Sequence, residues 1–155
     1  MEALETHETN ITPLSGFPNG VTKQDIREGI ADLEAKLLAL PNHTTEAEQL
    51  MHHFTDGVYA RTVLMRAGEL LTGKIHKHEH LVIVSSGRAR VVSEEFGAKD
   101  IIAPCIFKSP PGVKRALLIL EDCVWTTIHK NSDNEENVAE LEKRYVTTDY
   151  SEVNS

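Results

Sequence analysis

Several signatures that would announce a function are missing from this 155-residue chain. It has only two cysteines, Cys105 and Cys123. They do not form a C-x-x-C pair, which excludes a disulfide scaffold, points to a reduced compartment and leaves both thiols as expected core filler. The longest uninterrupted apolar run, residues 116–120, falls far short of the ~20 residues that cross a bilayer. The acidic residues 1–8 lack the basic and apolar regions of a signal peptide, so a cytoplasmic protein without membrane partners is expected. Basic charge is also scarce: sixteen Lys and Arg face twenty-four Asp and Glu, for a net charge of -8. No basic run offsets this locally, which argues against nucleic acid. There is no nucleophile elbow, phosphate-binding P-loop or Gly-rich dinucleotide fingerprint.

What remains is an ordinary globular composition, 40% apolar and 26% charged, at a length that suits one domain. Residues 1–21 mix Thr and Asn with Pro13, Gly16, Pro18 and Gly20 without periodicity, and are expected to form an arm lying on the surface or on a partner. Thr22 and Asp25 then resemble a capping box. Ile26, Ile30, Leu33 and Leu37 recur at helical spacing up to Pro41, so a helix over 22–40 should dock one apolar stripe on a barrel or a second subunit. His52 and His53 precede the expected barrel as a polar, mobile pair.

From Val58 the period shortens. Strands are expected over 58–65, 70–76, 80–84, 89–92, 101–107, 115–120 and 123–129, punctuated by Gly68, Gly73, Gly87 and Gly97. Many short strands at regular spacing predict a mainly β sandwich or closed barrel over 52–130. Beyond it, residues 131–155 offer a short amphipathic helix through Val138, Leu141 and Tyr145, then a solvated acidic tail.

Chemistry concentrates in Gly73-Lys-Ile-His76-Lys-His78-Glu-His80. Neutral imidazoles ligate zinc, iron, nickel and copper. Along a straight strand the Cα atoms of His76 and His80 would lie ~13 Å apart at ~3.3 Å per residue, so a turn through Lys77, His78 and Glu79 must bring them together. Followed by Leu81-Val-Ile-Val-Ser-Ser-Gly87, the segment resembles the first cupin motif, G-x5-H-x-H-x3-4-E-x6-G. Anchored on Gly87, His80 stands at the motif's glutamate and His76 at its second histidine, while Lys74 stands at the first. Pro110-Pro-Gly112-Val-Lys-Arg115 resembles the opening of the second motif, with Arg115 in place of its histidine. The resemblance covers roughly residues 54–129 and is closest to small single-domain cupins encoded in tailed-bacteriophage and bacterial genomes. It implies a double-stranded β-helix, or jelly-roll barrel, with an N-terminal helix and a short C-terminal one. It also implies a divalent metal (Zn, Fe, Mn or Ni), a homo-oligomer and, for a viral protein, host cytoplasm or a place in the virion among other virion proteins.

With two motif ligands lost, a third must come from elsewhere. A hairpin turning at Glu121-Asp122 would pair the strand starting at Arg115 with the one ending at His129, returning His129 to the rim beside His76 and His80. His78, at the tip of the turn, competes for the same role. Each has a blander reading, as a solvated turn residue or as a strand-end histidine bound to backbone. Arg115 could hold a small anionic ligand at the mouth, although Lys114 beside it suits a solvated strand start. Trp125 and Tyr59 are expected as core or interface aromatics. Three function classes follow: a metal-binding module without turnover, such as a virion interaction protein; a metal-dependent oxygenase, isomerase or lyase acting on a small molecule; and a barrel that binds no metal.

Overall fold

The structure is a computed structural model that describes residues 11–13, 20–44 and 49–153. In chain order the elements are β1 (Ile11–Pro13), α1 (Lys23–Leu38), β2 (Gln49–Thr55), β3 (Gly57–Met65), β4 (Leu70–Thr72), β5 (Ile75–His76) and β6 (His80–Ser93). They continue with β7 (Gly97–Ile102), β8 (Cys105–Ser109), β9 (Arg115–Asn131), α2 (Val138–Tyr145), β10 (Val146–Thr147) and a short 3-10 turn, Tyr150–Glu152. The fold is mainly β and antiparallel, with an N-terminal helix and a short C-terminal one, as expected.

Two long strands organise it. The first half of β6 pairs with β8 and with the end of β9, while its second half pairs with β7 and with the start of β9. Both strands therefore change partners midway along one eight-stranded sheet, at the corner where their mutual register shifts. One half carries β2, β3 and β8, and the other carries β4, β7 and β1. Between them lies the core of Met65, Val82, Val84, Ala89, Val91, Ile101, Leu117, Ile119 and Trp125. Cys105 and Cys123 are both free and buried there, in the filler role expected of them.

The corner corrects the sequence reading. Residues 115–129 are not a hairpin turning at Glu121-Asp122 but one strand, β9, whose register against β6 shifts between Val84 and Ala89. A tight hairpin wants Gly or Asn at positive φ, and Glu121-Asp122 supplies neither. The bend is made instead where Gly87, at φ 87°, crosses so close to β9 that a Cβ would lie 2.2 Å from the Asp122 carbonyl oxygen. The 101–107 segment likewise divides at the cis Ala103-Pro104 bond into β7 and β8, and 70–76 divides into β4 and β5.

The helix is read correctly at its start. Thr22 and Asp25 form a reciprocal capping box, and Ile26 and Ile30 are buried. They pack with Leu33 on Val92 and Ala116, so the helix docks on its own barrel. Its polar flank is anchored as well: Arg27 pairs with Glu94, and Glu34 accepts from Lys114 at 2.6 Å and from Thr72 at 3.0 Å. The strand at the barrel's entrance went unrecognised. His52 and His53 lie in β2, paired along its length with β3, so they are not a loose polar pair. In the arm, the backbone of 11–13 pairs with β7 of the same chain, while 1–10 and 14–19 lie outside the described residues. The acidic tail also folds back. Val146 pairs with His76, Lys77 meets Glu152 at 2.9 Å, and Arg27 lies over the Tyr150 ring.

Candidate metal centre

Strand register builds the site in layers. Inward-facing residues on neighbouring strands meet side by side, so the pairing of Leu81 with Ile128 sets His80 next to His129, which in turn faces Tyr59 on β3. His80 also pairs with Ser109 on β8. One layer deeper come Arg61, Thr127, Val82 and Phe107. His76 enters from β5, across the bend at Lys77 and His78 that brings it back over His80.

The result is a cluster of three imidazoles. His76, His80 and His129 each present a ring nitrogen, and these atoms lie within 4.8 Å of one another. Ring centroids are 4.1 Å apart for His76 and His80, 4.9 Å for His80 and His129, and 5.5 Å for His76 and His129. Donors each ~2.1 Å from one ion stand at most ~4.2 Å apart, so small side-chain rotations would close the set around a single ion. His78 is left out. Its residue is exposed, its ring lies edge-on to Tyr145, and it contributes a backbone carbonyl that accepts from His80 Nδ1 at 3.1 Å.

That bond fixes chemistry. A carbonyl can only accept, so His80 Nδ1 carries the hydrogen and Nε2 keeps its lone pair. Nε2 of His80 and Nδ1 of His76 are both buried without a hydrogen-bond partner. Unsatisfied buried nitrogens are costly, and an ion held by the cluster would relieve that cost by accepting their lone pairs. Burial is the main cause that keeps the three rings neutral. It holds His76 well below the ordinary histidine range, helped by the neighbouring His80 and His129, and it lowers His80. Burial and the adjacent His80 push His129 down to about 3. Neutral imidazole is the form that binds metal.

Aromatic rings wall the centre. Tyr59 and Tyr145 stack on His129 with centroids at 6.0 and 4.6 Å, and His52 Nδ1 lies 2.8 Å from the Tyr59 hydroxyl. Helix α2 caps this end of the barrel through buried Leu141 and Tyr145. Beneath it a small recess opens among Tyr59, Arg61, His76 and His129 on the barrel side and Leu141 and Tyr145 on the helix side. Arg61 escaped the sequence reading; its strand parity with Tyr59 is the signal that could have placed it inside.

Arg115 is not a solvated strand start. It is 7% exposed, meets Glu95 at 3.1 Å and lies over the Phe107 ring, while neighbouring Lys114 is also buried against Glu34. Lys74, at the lost motif position, is exposed and 3.5 Å from Glu142. Trp125 sits in the core, edge-on to Phe107.

Together these features define a mainly β antiparallel fold with a three-histidine cluster that could hold a metal ion. No known family profile matches the chain, and no curated protein does. Solved structures of cupin proteins are similar to it. A cupin 2 domain-containing protein from Halorhodospira halophila is 16% identical, with 66% of this chain and 78% of that one covered at a TM-score of 0.47. A cupin-2 domain containing protein from Shewanella frigidimarina is 12% identical, covering 57% and 85% at 0.45. An RmlC-like cupin family protein with a double-stranded β-helix fold from Methanocaldococcus jannaschii is 13% identical, covering 59% and 88% at 0.44.

Proposed function

We propose that the chain is a metal-binding cupin barrel whose His76, His80 and His129 hold one divalent transition-metal ion and leave its remaining positions open to a ligand in the recess. One observation carries this reading: three imidazoles, two buried and one half-buried, whose donor atoms lie within 4.8 Å of one another, two of them with ring nitrogens otherwise unpartnered. Three nitrogen donors with open positions suit Zn, Fe, Mn or Ni, and ligand type alone does not select among them. A virion interaction module would draw on the N-terminal arm. Its described segment, 11–13, pairs with β7 of the same chain.

Elemental analysis of untagged protein, with titration of metal-free protein by Zn(II), Fe(II), Mn(II) and Ni(II), tests the centre. One equivalent is expected in the wild type and in His78→Ala. His76→Ala, His80→Ala and His129→Ala should each lose it, because two ligands make an incomplete shell. Full occupancy in those three variants would overturn the reading.

Turnover is a second reading, favoured by the recess that reaches His76 and His129, since a metal enzyme needs an open position facing bound substrate. Substrate loss or oxygen uptake by Fe(II)-loaded protein over a panel of small organic acids reads it directly. No consumption with any of the four metals would leave a binding module.

A further inference from the structure

The three-histidine centre leaves positive charge uncompensated. Imidazoles are neutral ligands, so a divalent ion held by them keeps its whole charge, and among the described residues no carboxylate joins the cluster. Arg61 adds to it. It lines the same recess as His76 and His129. Arg115 also lies near His76 and His80, but Glu95 balances it at 3.1 Å. The carboxylate on the recess wall, Glu142, is 38% exposed and faces Lys74.

The hydrogen-bonding groups of the two layers show the same imbalance. Arg61 Nε, Thr127 Oγ1 beside it and Ser109 Oγ beside His80 are all buried without a partner. Each can donate a hydrogen, and leaving several such donors dry is costly. Of the three, Arg61 lines the recess, where an acceptor-rich anion would satisfy it. A carboxylate presents two coplanar oxygens, which match the planar fork of a guanidinium.

We propose that the recess binds a small organic carboxylate, one oxygen directed to the metal held by His76, His80 and His129 and the other to the Arg61 guanidinium. This rests on the metal-centre reading and names the class of ligand for that site. Leu141 and Tyr145 line the recess on the side of α2, and its small size favours the smallest carboxylates.

Cobalt-loaded, untagged protein supplies the test, with propionate as the carboxylate, propionamide as its neutral counterpart and inorganic phosphate as the competing anion. Propionate is expected to shift the visible cobalt spectrum saturably, and propionamide to leave it unchanged. Arg61→Gln should weaken propionate by about tenfold or more, the usual worth of a charge-assisted bond, while cobalt stoichiometry stays at the wild-type value. Arg61→Lys, which keeps the charge and loses the fork, should fall between; it carries the comparison if Arg61→Gln does not fold. Equal propionate affinity in wild type and the Arg61 variants would overturn the proposal. So would an equal response to propionamide, tighter Arg61-dependent binding of phosphate, or loss of binding in Arg115→Gln with none in Arg61→Gln. A wild type that takes up no metal refutes the metal centre separately. Calorimetry on that metal-free protein then decides the ligand: Arg61-dependent propionate binding upholds the carboxylate site, and its absence removes it.

Discussion

At the scale of single residues, the barrel depends on positions where backbone and side chain cannot be exchanged. Gly87 allows β6 and β9 to fold over together, because its φ is 87° and any Cβ would strike the Asp122 carbonyl. Gly87→Ala should cost about 3 kcal/mol or more, as strain at a positive φ adds to a backbone clash. Urea unfolding measures it, and an unchanged midpoint would mean that the corner relaxes freely. The histidines carry a different constraint. With all three held neutral below the ordinary histidine pKa, protons compete little with metal at neutral pH. Zinc affinity should therefore stay level from about pH 8 down to about pH 6.5, where an exposed histidine cluster begins to lose it. Competition against a chromogenic chelator across that range is the measurement, and a tenfold fall would contradict the buried neutral cluster.

Elements act through the faces they bury. Helix α1 covers Val92 and Ala116 with Ile26, Ile30 and Leu33. Because that surface belongs to the same chain, Leu33→Asp should lower the melting temperature by leaving a charge against an apolar face, without changing the mass in solution. A change in mass with an unchanged melting temperature would relocate the contact to a partner. Helix α2 has fewer contacts but a more consequential position. Leu141 is fully buried beside Tyr59 and Tyr145, so Leu141→Asp should loosen the cap while the ligands remain on β5, β6 and β9. The expected signature is faster metal loss to a chelator with unchanged stoichiometry, read by stopped-flow. Equal rates would show that metal leaves by another route.

For the whole molecule, acid should act through groups whose folded pKa is depressed. Arg90 and Arg88 hold the Asp100 carboxyl down to about 2, so it stabilises the fold above its ordinary 3.8 and loses that contribution as pH falls through 2. The cluster histidines work in the same direction at higher pH. Between the ordinary 6.5 and the folded value of about 3 for His129, the unfolded chain takes up the proton and the native chain does not. Metal-free protein should therefore lose stability progressively below pH 6.5. Bound metal favours only the native state, so it should raise the melting temperature at pH 7 and lose that effect as the ligands protonate. Scanning calorimetry with and without zinc tests both. A metal-free protein as stable at pH 4.5 as at pH 7 would contradict the buried neutral histidines.

Local signals settled much of this architecture. The capping box at Thr22 and Asp25, the stripe of Ile26 and Ile30 and the bend between His76 and His80 are short-range patterns that reappear in the folded chain, whereas the period-two signal found strand residues but not where strands break or join. Long-range pairing decided the rest. No local pattern distinguishes a hairpin at Glu121-Asp122 from a single strand folded over a corner, because the difference lies in which strand supplies the hydrogen-bond partners, and β6 supplies them to both halves of β9. For the same reason His129 meets His80 through β6 register and not through a hairpin with Arg115. Arg61 also joins the site by that route: parity on β3 puts it inside, and only closure of the barrel shows that the inside at that depth is the recess beside His76 and His129. Sequence specified the ligand types and the face each would occupy, since side-chain direction alternates within a strand. Which faces enclose one another depends on contacts between residues far apart in the chain, and those exist only once the sheets have closed.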